Sequence, residues 1–156
     1  MVSTLEPVLA IEVVPRSRQS VYPVALAKRI AGRQKRALGD AFGLTRYGVN
    51  LTILPANGQS ALLHRHTDQE EFIYFLQGHP TLRTEDAEVE LSPGMCVGFR
   101  PNEDAHHLIN RSRSEVHYLE VGDRTEPDRV EYPEDDVLAL KITGEWHFMH
   151  RDGRPW

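Results

Sequence analysis

The sequence predicts an all-β protein, a small antiparallel barrel or sandwich. From residue 44 onward, short runs alternate apolar and polar residues or are rich in β-branched and aromatic ones, as in YGVNLTIL, EEFIYFLQ, MCVGF, HHLI and VHYLEV. Turn signals separate them at short spacing, among them Pro55-Ala-Asn-Gly58, Gly78 and Ser92-Pro93-Gly94. No stretch between these runs sustains the 3.6-residue repeat of a long helix, and that combination is the pattern of strand-dense sandwiches and barrels.

Taken in order, the elements begin with the apolar run VLAIEVV, which reads as a strand within Glu6–Val14. Ser20-Val-Tyr-Pro23 looks like a helix start, with proline in the first turn, followed by two turns over Val24–Ala31 that Gly32 stops. Lys28, Arg29, Arg33, Lys35 and Arg36 make this region basic and read as a solvated face. The segment GLTRYGVNLTIL is the first barrel strand, and SALLHRH, EEFIYFLQGH, the two halves of TLRTEDAEVEL, MCVGFRP, HHLINRS and VHYLEVG are the next. The acidic, proline-bearing DRTEPDRVEYPEDD reads as an ordered loop rather than a strand. The C-terminal KITGEWHFMHRDGRPW holds both tryptophans and reads as an irregular tail that packs on something. A length of 156 residues suits one domain spanning 1–156, with its core at about 45–122 and the two extensions packed on it.

Composition excludes several classes. Apolar residues make up 40% and charged residues 26%, an ordinary globular balance, and a formal charge of −5 argues against a nucleic-acid binder. No apolar stretch approaches the ~20 residues that span a bilayer, and the first residues lack the basic start and long apolar segment of a secretory signal. One cysteine, Cys96, excludes an internal disulfide framework and, set in an apolar run, reads as a buried inert thiol. Together these point to a cytoplasmic location, with no nucleic-acid or membrane partner.

The chemistry lies in LLHRHTDQEEFIYFLQG, Leu62–Gly78. Side chains alternate faces along a strand, so His64 and His66 share one face and Arg65 points away. A turn at Thr67-Asp68-Gln69 returns the chain, and Glu71 can rejoin the face of the two imidazoles. His106 and His107 open a later strand and face opposite ways, so one of them can join the group. Three imidazoles and a carboxylate at one point suit a divalent first-row transition metal with positions open to substrate. Each piece alone has a plainer reading, as a polar strand end, a solvated glutamate or a hydrogen-bonded interior histidine. His79, His117, His147 and His150 have no matching partners and read as non-ligands.

The spacing resembles that of the cupin superfamily. Gly58, five residues, His64-x-His66, four residues, Glu71, six residues and Gly78 match its first motif, and Pro101, His106 and Asn110 match its second. The resemblance covers Gly58–Asn110 and extends to about Gly122. It implies a jelly-roll β-barrel with a metal held by His64, His66, Glu71 and His106, the metal being zinc, iron, manganese or nickel. Two departures stand out: Glu103 replaces a usual glycine, and six residues rather than five separate Gly94 from Pro101. They keep His107 in view as the alternative to His106; a bulge would absorb the extra residue.

The run GMCVGFRPNEDAHHLINRS…VHYLEVGDR is similar to small single-domain bacterial cupins labelled by likeness to sugar-phosphate isomerases. The expectation is a metal-dependent enzyme acting on a small polar molecule. Glu120 is the candidate base, and Arg100, Arg83 and Arg46 are candidates for an anionic group. An iron-dependent dioxygenase and a non-catalytic binding or sensor module use the same ligands and are the alternatives. Along Glu71–Gln77 one face reads Glu71, Ile73, Phe75 and Gln77 and lines the interior. The other reads Phe72, Tyr74 and Leu76, which needs cover from a terminus of the chain or from a second subunit in a homodimer.

Overall fold

The computed structural model describes residues 6–17 and 20–156. A short helix α1 (Val24–Ala27) runs into a 3₁₀ turn, and Gly32 ends it with a positive φ of 80°. The strands are β1 (Gln34–Ala37), β2 (Tyr47–Leu54), β3 (Arg65–His66), β4 (Glu71–Gln77), β5 (Thr81–Thr84) and β6 (Glu88–Glu90). They continue as β7 (Cys96–Phe99), β8 (His106–Ile109), β9 (Val116–Asp123), β10 (Asp128–Glu131), β11 (Leu138–Ile142) and β12 (Glu145–Met149). One helical turn, α2 (Leu38–Ala41), links β1 to β2.

All ladders are antiparallel. One sheet has the order β1-β2-β9-β4-β7. The strands β12-β11-β10-β3 and β6-β5-β8 form two more, and the isolated bridge His64↔His106 joins them at β3 and β8. The chain is therefore all-β, with the crossed connectivity of a jelly roll.

Two apolar clusters fill the space between the layers. Leu54, Ile73, Phe75, Val116 and Tyr118 from the five-stranded sheet meet Leu108 of β8 and Leu91. Burying a side chain such as Phe75, which is fully enclosed, is worth about 1.5–3 kcal/mol. The second cluster joins Leu26 of α1 and Leu62 to Val130, Tyr132, Val137 and Ala139, with Tyr22, Trp146 and Phe148 against it. The barrel turns sharply at Gly78, whose φ is +83°. A Cβ there would lie 2.8 Å from Val116 Cγ2 and 2.9 Å from the Glu115 carbonyl oxygen, so glycine is required for space as well as for conformation.

Several sequence expectations are corrected. Within Glu6–Val14 there is a 3₁₀ turn at Ala10–Glu12, not a strand, and Val8, Leu9, Ile11 and Val14 are exposed. The segment meets the edge of β1 by single contacts, Arg16 N–H to the Lys35 carbonyl at 2.9 Å and Arg36 Nη1 to the Val13 carbonyl at 2.7 Å, which do not make a ladder. The basic run at 34–37 is strand β1 rather than a solvated face, because it pairs with β2 from Gln34↔Ile53 to Ala37↔Asn50. DRTEPDRVEYPEDD contains β10, which pairs with β11 on one side and β3 on the other. The C-terminal tail is a regular hairpin, β11–β12, whose turn residues Thr143 and Gly144 both have positive φ, 51° and 82°, as a two-residue hairpin turn demands. In SALLHRH only Arg65–His66 is strand. Cys96 is exposed on the outer face opposite Tyr74, not buried.

The two faces of β4 divide as the alternation predicts over most of its length. Ile73 and Phe75 are 6% and 0% exposed, whereas Phe72, Tyr74 and Leu76 are 44%, 39% and 45% exposed. Gln77 departs from the pattern and is exposed, because the β4–β9 register shifts between Phe75 and Gln77. The β4–β7 ladder is regular from Glu71↔Phe99 to Tyr74↔Cys96, so no bulge there absorbs the extra residue before Pro101. No helix among the described residues is long and apolar enough to cross a membrane.

Candidate metal centre and cavity

β3, β4 and β8 bring four side chains to one point inside the barrel. The Nε2 atoms of His106, His64 and His66 lie 3.1, 3.7 and 3.8 Å from the same atom, Glu71 Oε2. Ligand atoms of His64, His66 and Glu71 all fall within 4.8 Å of one another. His107 points the other way, with Nδ1 3.0 Å from the Ala61 carbonyl, so His106 is the histidine that faces Glu71. The loop before it is tied down in spite of Glu103: Arg100 N–H donates to Glu103 Oε2 at 2.9 Å, and Asn102 N–H donates to the His66 carbonyl at 2.8 Å.

The opposite ring nitrogens of two imidazoles are held. His64 Nδ1 donates to the Leu62 carbonyl at 2.9 Å, and His66 Nδ1 lies 2.6 Å from Asp128 Oδ2. A nitrogen facing a carbonyl must carry the proton, which leaves the His64 Nε2 lone pair aimed at the centre. Asp128 is itself 1% exposed, and its other oxygen accepts from the backbone N–H of Asp68 and Gln69 at 3.1 and 3.3 Å. Phe99 lies flat on His106 with ring centroids 3.4 Å apart. Burial opposes the charge on Glu71, but the hydrogen bond with His106 and the nearness of His64 and His66 outweigh it and hold the carboxyl well below its ordinary range. Burial also lowers His64, whereas for His66 the bond to Asp128 and the charge of Glu71 overcome burial and raise it.

This donor set fits a divalent transition metal. The imidazole nitrogens of His64 and His66 and a Glu71 oxygen form one set, His106 Nε2 adjoins it at Glu71 Oε2, and the far sides of two rings are oriented by a carbonyl and a buried carboxylate, as metal-binding histidines require.

The centre opens into a cavity of about 290 Å³. Its other wall comes from β1, β2 and β9. Lys35 Nζ lies 2.5 Å from Glu120 Oε1, Asn50 Nδ2 donates to the same oxygen at 3.5 Å, and Arg16 Nη2 donates to Asn50 Oδ1 at 3.1 Å. Burial pushes the Lys35 ammonium below its ordinary value, against the pull of Glu120. Glu120, the candidate base, therefore lines the same cavity as the histidines.

None of the three candidate arginines lines this cavity, although Arg100 borders a second, smaller pocket that also takes in His66, Glu71 and His106. Arg83 pairs with Glu134 on the surface, Arg100 bonds Glu103 on an exposed loop, and Arg46 is an exposed residue whose carbonyl accepts from Arg124 N–H at 3.2 Å. The cationic residues that do line the cavity include Arg16, Arg33, Lys35, Arg124 and Lys141. Lys35 and Asp128 were hidden in the sequence within a basic run and an acidic loop. Of the histidines read as non-ligands, His79, His117 and His150 are engaged elsewhere, with Ser92, Glu115 and Asp136, and His147 is absent from the cavity lining.

Residues 50–122 match the family model described as Cupin domain. No curated protein matches the chain. Among solved structures, a sugar phosphate isomerase from a cupin superfamily, from Silicibacter pomeroyi, is 31% identical over 97% of this chain and 96% of its own, with a TM-score of 0.90. A protein from Acidithiobacillus ferrooxidans, provisionally named a sugar phosphate isomerase, is 32% identical over 77% of each chain with a TM-score of 0.73. A polyketide cyclase from Streptomyces resistomycificus shares the fold at 20% identity, covering 80% of this chain and 83% of its own, with a TM-score of 0.63. A near-complete match at this identity, on a jelly roll carrying both histidine motifs, makes this chain a member of the cupin superfamily.

Proposed function

We propose that the protein is a metal-dependent isomerase of a phosphorylated sugar or a similar polyol. The observation that carries this reading is the juxtaposition in one cavity of a three-histidine, one-carboxylate cluster and a second carboxylate, Glu120. The similarity to the Silicibacter pomeroyi isomerase supports it. His64, His66, Glu71 and His106 would hold the metal. When bound, that ion supplies Lewis acidity toward a carbonyl or hydroxyl oxygen of the substrate.

Glu120 is the group that moves the proton between neighbouring carbons. Its Oε1 accepts from Lys35 and Asn50, which fixes the carboxylate at the wall. The cationic residues of the cavity suit the anionic end of such a substrate. Asp128, Phe99 and the Leu62 carbonyl hold the imidazoles in orientation.

The test is a screen of metal-loaded protein against phosphorylated aldoses and ketoses, with and without oxygen. Turnover under anaerobic conditions is expected, and replacing Glu120 by glutamine should lower kcat by about 10²–10⁴, the usual worth of a general base. Activity that requires oxygen would favour a dioxygenase, and tight binding without turnover a binding module.

We also infer a homodimer in the cytoplasm. Phe72, Tyr74 and Leu76 form an apolar stripe that neither terminus covers among the described residues, and a second copy is the simplest cover. A monomer by light scattering at micromolar concentration would refute the dimer.

A further inference from the structure

Lys35 is a largely enclosed cation whose part in the reaction has so far been only to hold Glu120 in place. Its side chain is 20% exposed and that of its partner Glu120 is 15% exposed. Taking such a pair out of water costs more than a neutral side chain would, and when it stands at a cavity wall it marks a place of use. The charged groups around it are Glu120 from β9, Glu71 from β4 and Arg33 just before β1, with Arg16 reaching the same network through Asn50.

We propose that Lys35 is a catalytic residue that handles the oxygen-bound protons while Glu120 handles the carbon-bound one. This rests on the isomerase reading above. Glu120 takes the proton from the hydroxyl-bearing carbon, the C–H pair becomes a C=C bond, and the carbonyl π pair moves onto oxygen. Glu120 is now neutral, so the Lys35 ammonium loses its counter-charge as a negative oxygen forms nearby. Lys35 gives that oxygen a proton and takes one from the neighbouring hydroxyl. The pair on that oxygen closes a new C=O, the C=C pair takes the proton back from Glu120 at the adjacent carbon, and both side chains end as they began. No oxidant or reductant is consumed. The 2.5 Å contact puts the two proton carriers side by side, as neighbouring carbon and oxygen atoms of a substrate require. The lowered ammonium of Lys35, a consequence of burial, makes it a readier donor than a surface lysine.

The experiment uses the metal-loaded full chain and a panel of pentose and hexose phosphates in deuterated water, followed by NMR. Wild type is expected to isomerise at least one and to exchange its carbon-bound hydrogen. Lys35→Met should lower kcat by about 10²-fold or more with KM changed only a few-fold and metal content unchanged. Lys35→Arg keeps the charge, and its basic limb in the kcat/KM profile should move to higher pH. Lys35→Met with kcat within threefold of wild type, or Lys35→Arg with an unshifted basic limb, overturns the role of Lys35 while the isomerase reading stands. Lys35→Met leaves Glu120 without its ammonium, so melting is checked, and if it does not fold the same criterion is read from Lys35→Gln, which keeps a hydrogen-bond donor. A wild type that neither isomerises nor exchanges any sugar of the panel overturns the isomerase reading and this role with it.

Discussion

The two walls of the cavity are built by different physics. On one, His64, His66, His106 and Glu71 are anchored from behind: a backbone carbonyl, a buried carboxylate and a phenyl ring fix the rings before any ligand arrives. On the other, Lys35, Glu120, Asn50 and Arg16 hold one another, and opposite charges are satisfied across the gap rather than from the scaffold. The first wall turns imidazole and carboxylate donor atoms to one point, which is what a cation needs. The second keeps charges that cancel until one is consumed, which is what proton transfer needs. Rigid backing suits coordination, and mutual pairing suits exchange.

That contrast can be broken most completely on the histidine side. Replacing His64 and His66 together by alanine should abolish metal retention, read by elemental analysis after purification, while far-ultraviolet circular dichroism stays close to wild type. Full retention would remove the assignment of this wall. A subtler strike is Asp128→Asn, which keeps the shape but weakens the hold on His66, and metal affinity should fall about 10–100-fold in a chelator competition. On the paired wall, Glu120→Gln should leave metal content unchanged, and a loss there would show that the walls are not separable.

The sign of acid sensitivity sharpens the comparison further. The Glu71 carboxyl is held well below its ordinary range, so in the metal-free protein it adds stability that is present above that range and lost as pH falls through the lowered folded value. Glu71→Gln should flatten this part of a pH-dependent urea titration, and an unchanged slope would refute the pairing. The smallest effect belongs to Arg16→Gln, which removes one half-exposed hydrogen bond to Asn50 and should cost about 0.5 kcal/mol by urea unfolding, with metal content unaltered.

The anchored wall was legible in the sequence because its residues lie on strands whose period is fixed. His64-x-His66 must share a face, and the turn before Glu71 sets the return. Strand alternation alone left His106 and His107 open, and only the motif spacing favoured His106. The choice follows from the bridge His64↔His106, which sets which ring turns inward. The paired wall was nearly invisible. Gln34-Lys-Arg-Ala37 has no alternation of polarity, since its inward residue is a lysine whose partner lies 85 residues away. β10 was hidden for a related reason: Asp128 is buried, and a buried carboxylate satisfied by backbone N–H groups looks in sequence like any acid of a loop. The glycine and proline signals placed most turns, but the positive φ of Thr143 came from hairpin geometry rather than from residue preference.

Asp128 also ties two distant parts of the chain into one fate. It stands at the head of β10, β10 carries β11, and β11 carries β12, so the last thirty or so residues dock on β3 through the strand that steadies His66. Peeling β10 away together with that hairpin would take the carboxylate from behind the imidazole before any residue of the cluster itself was touched. A metal held by the cluster would then leave early in unfolding, and its loss would report a frayed C-terminus while the five-stranded sheet was still whole. A protease that clips there would disarm the centre from outside the barrel.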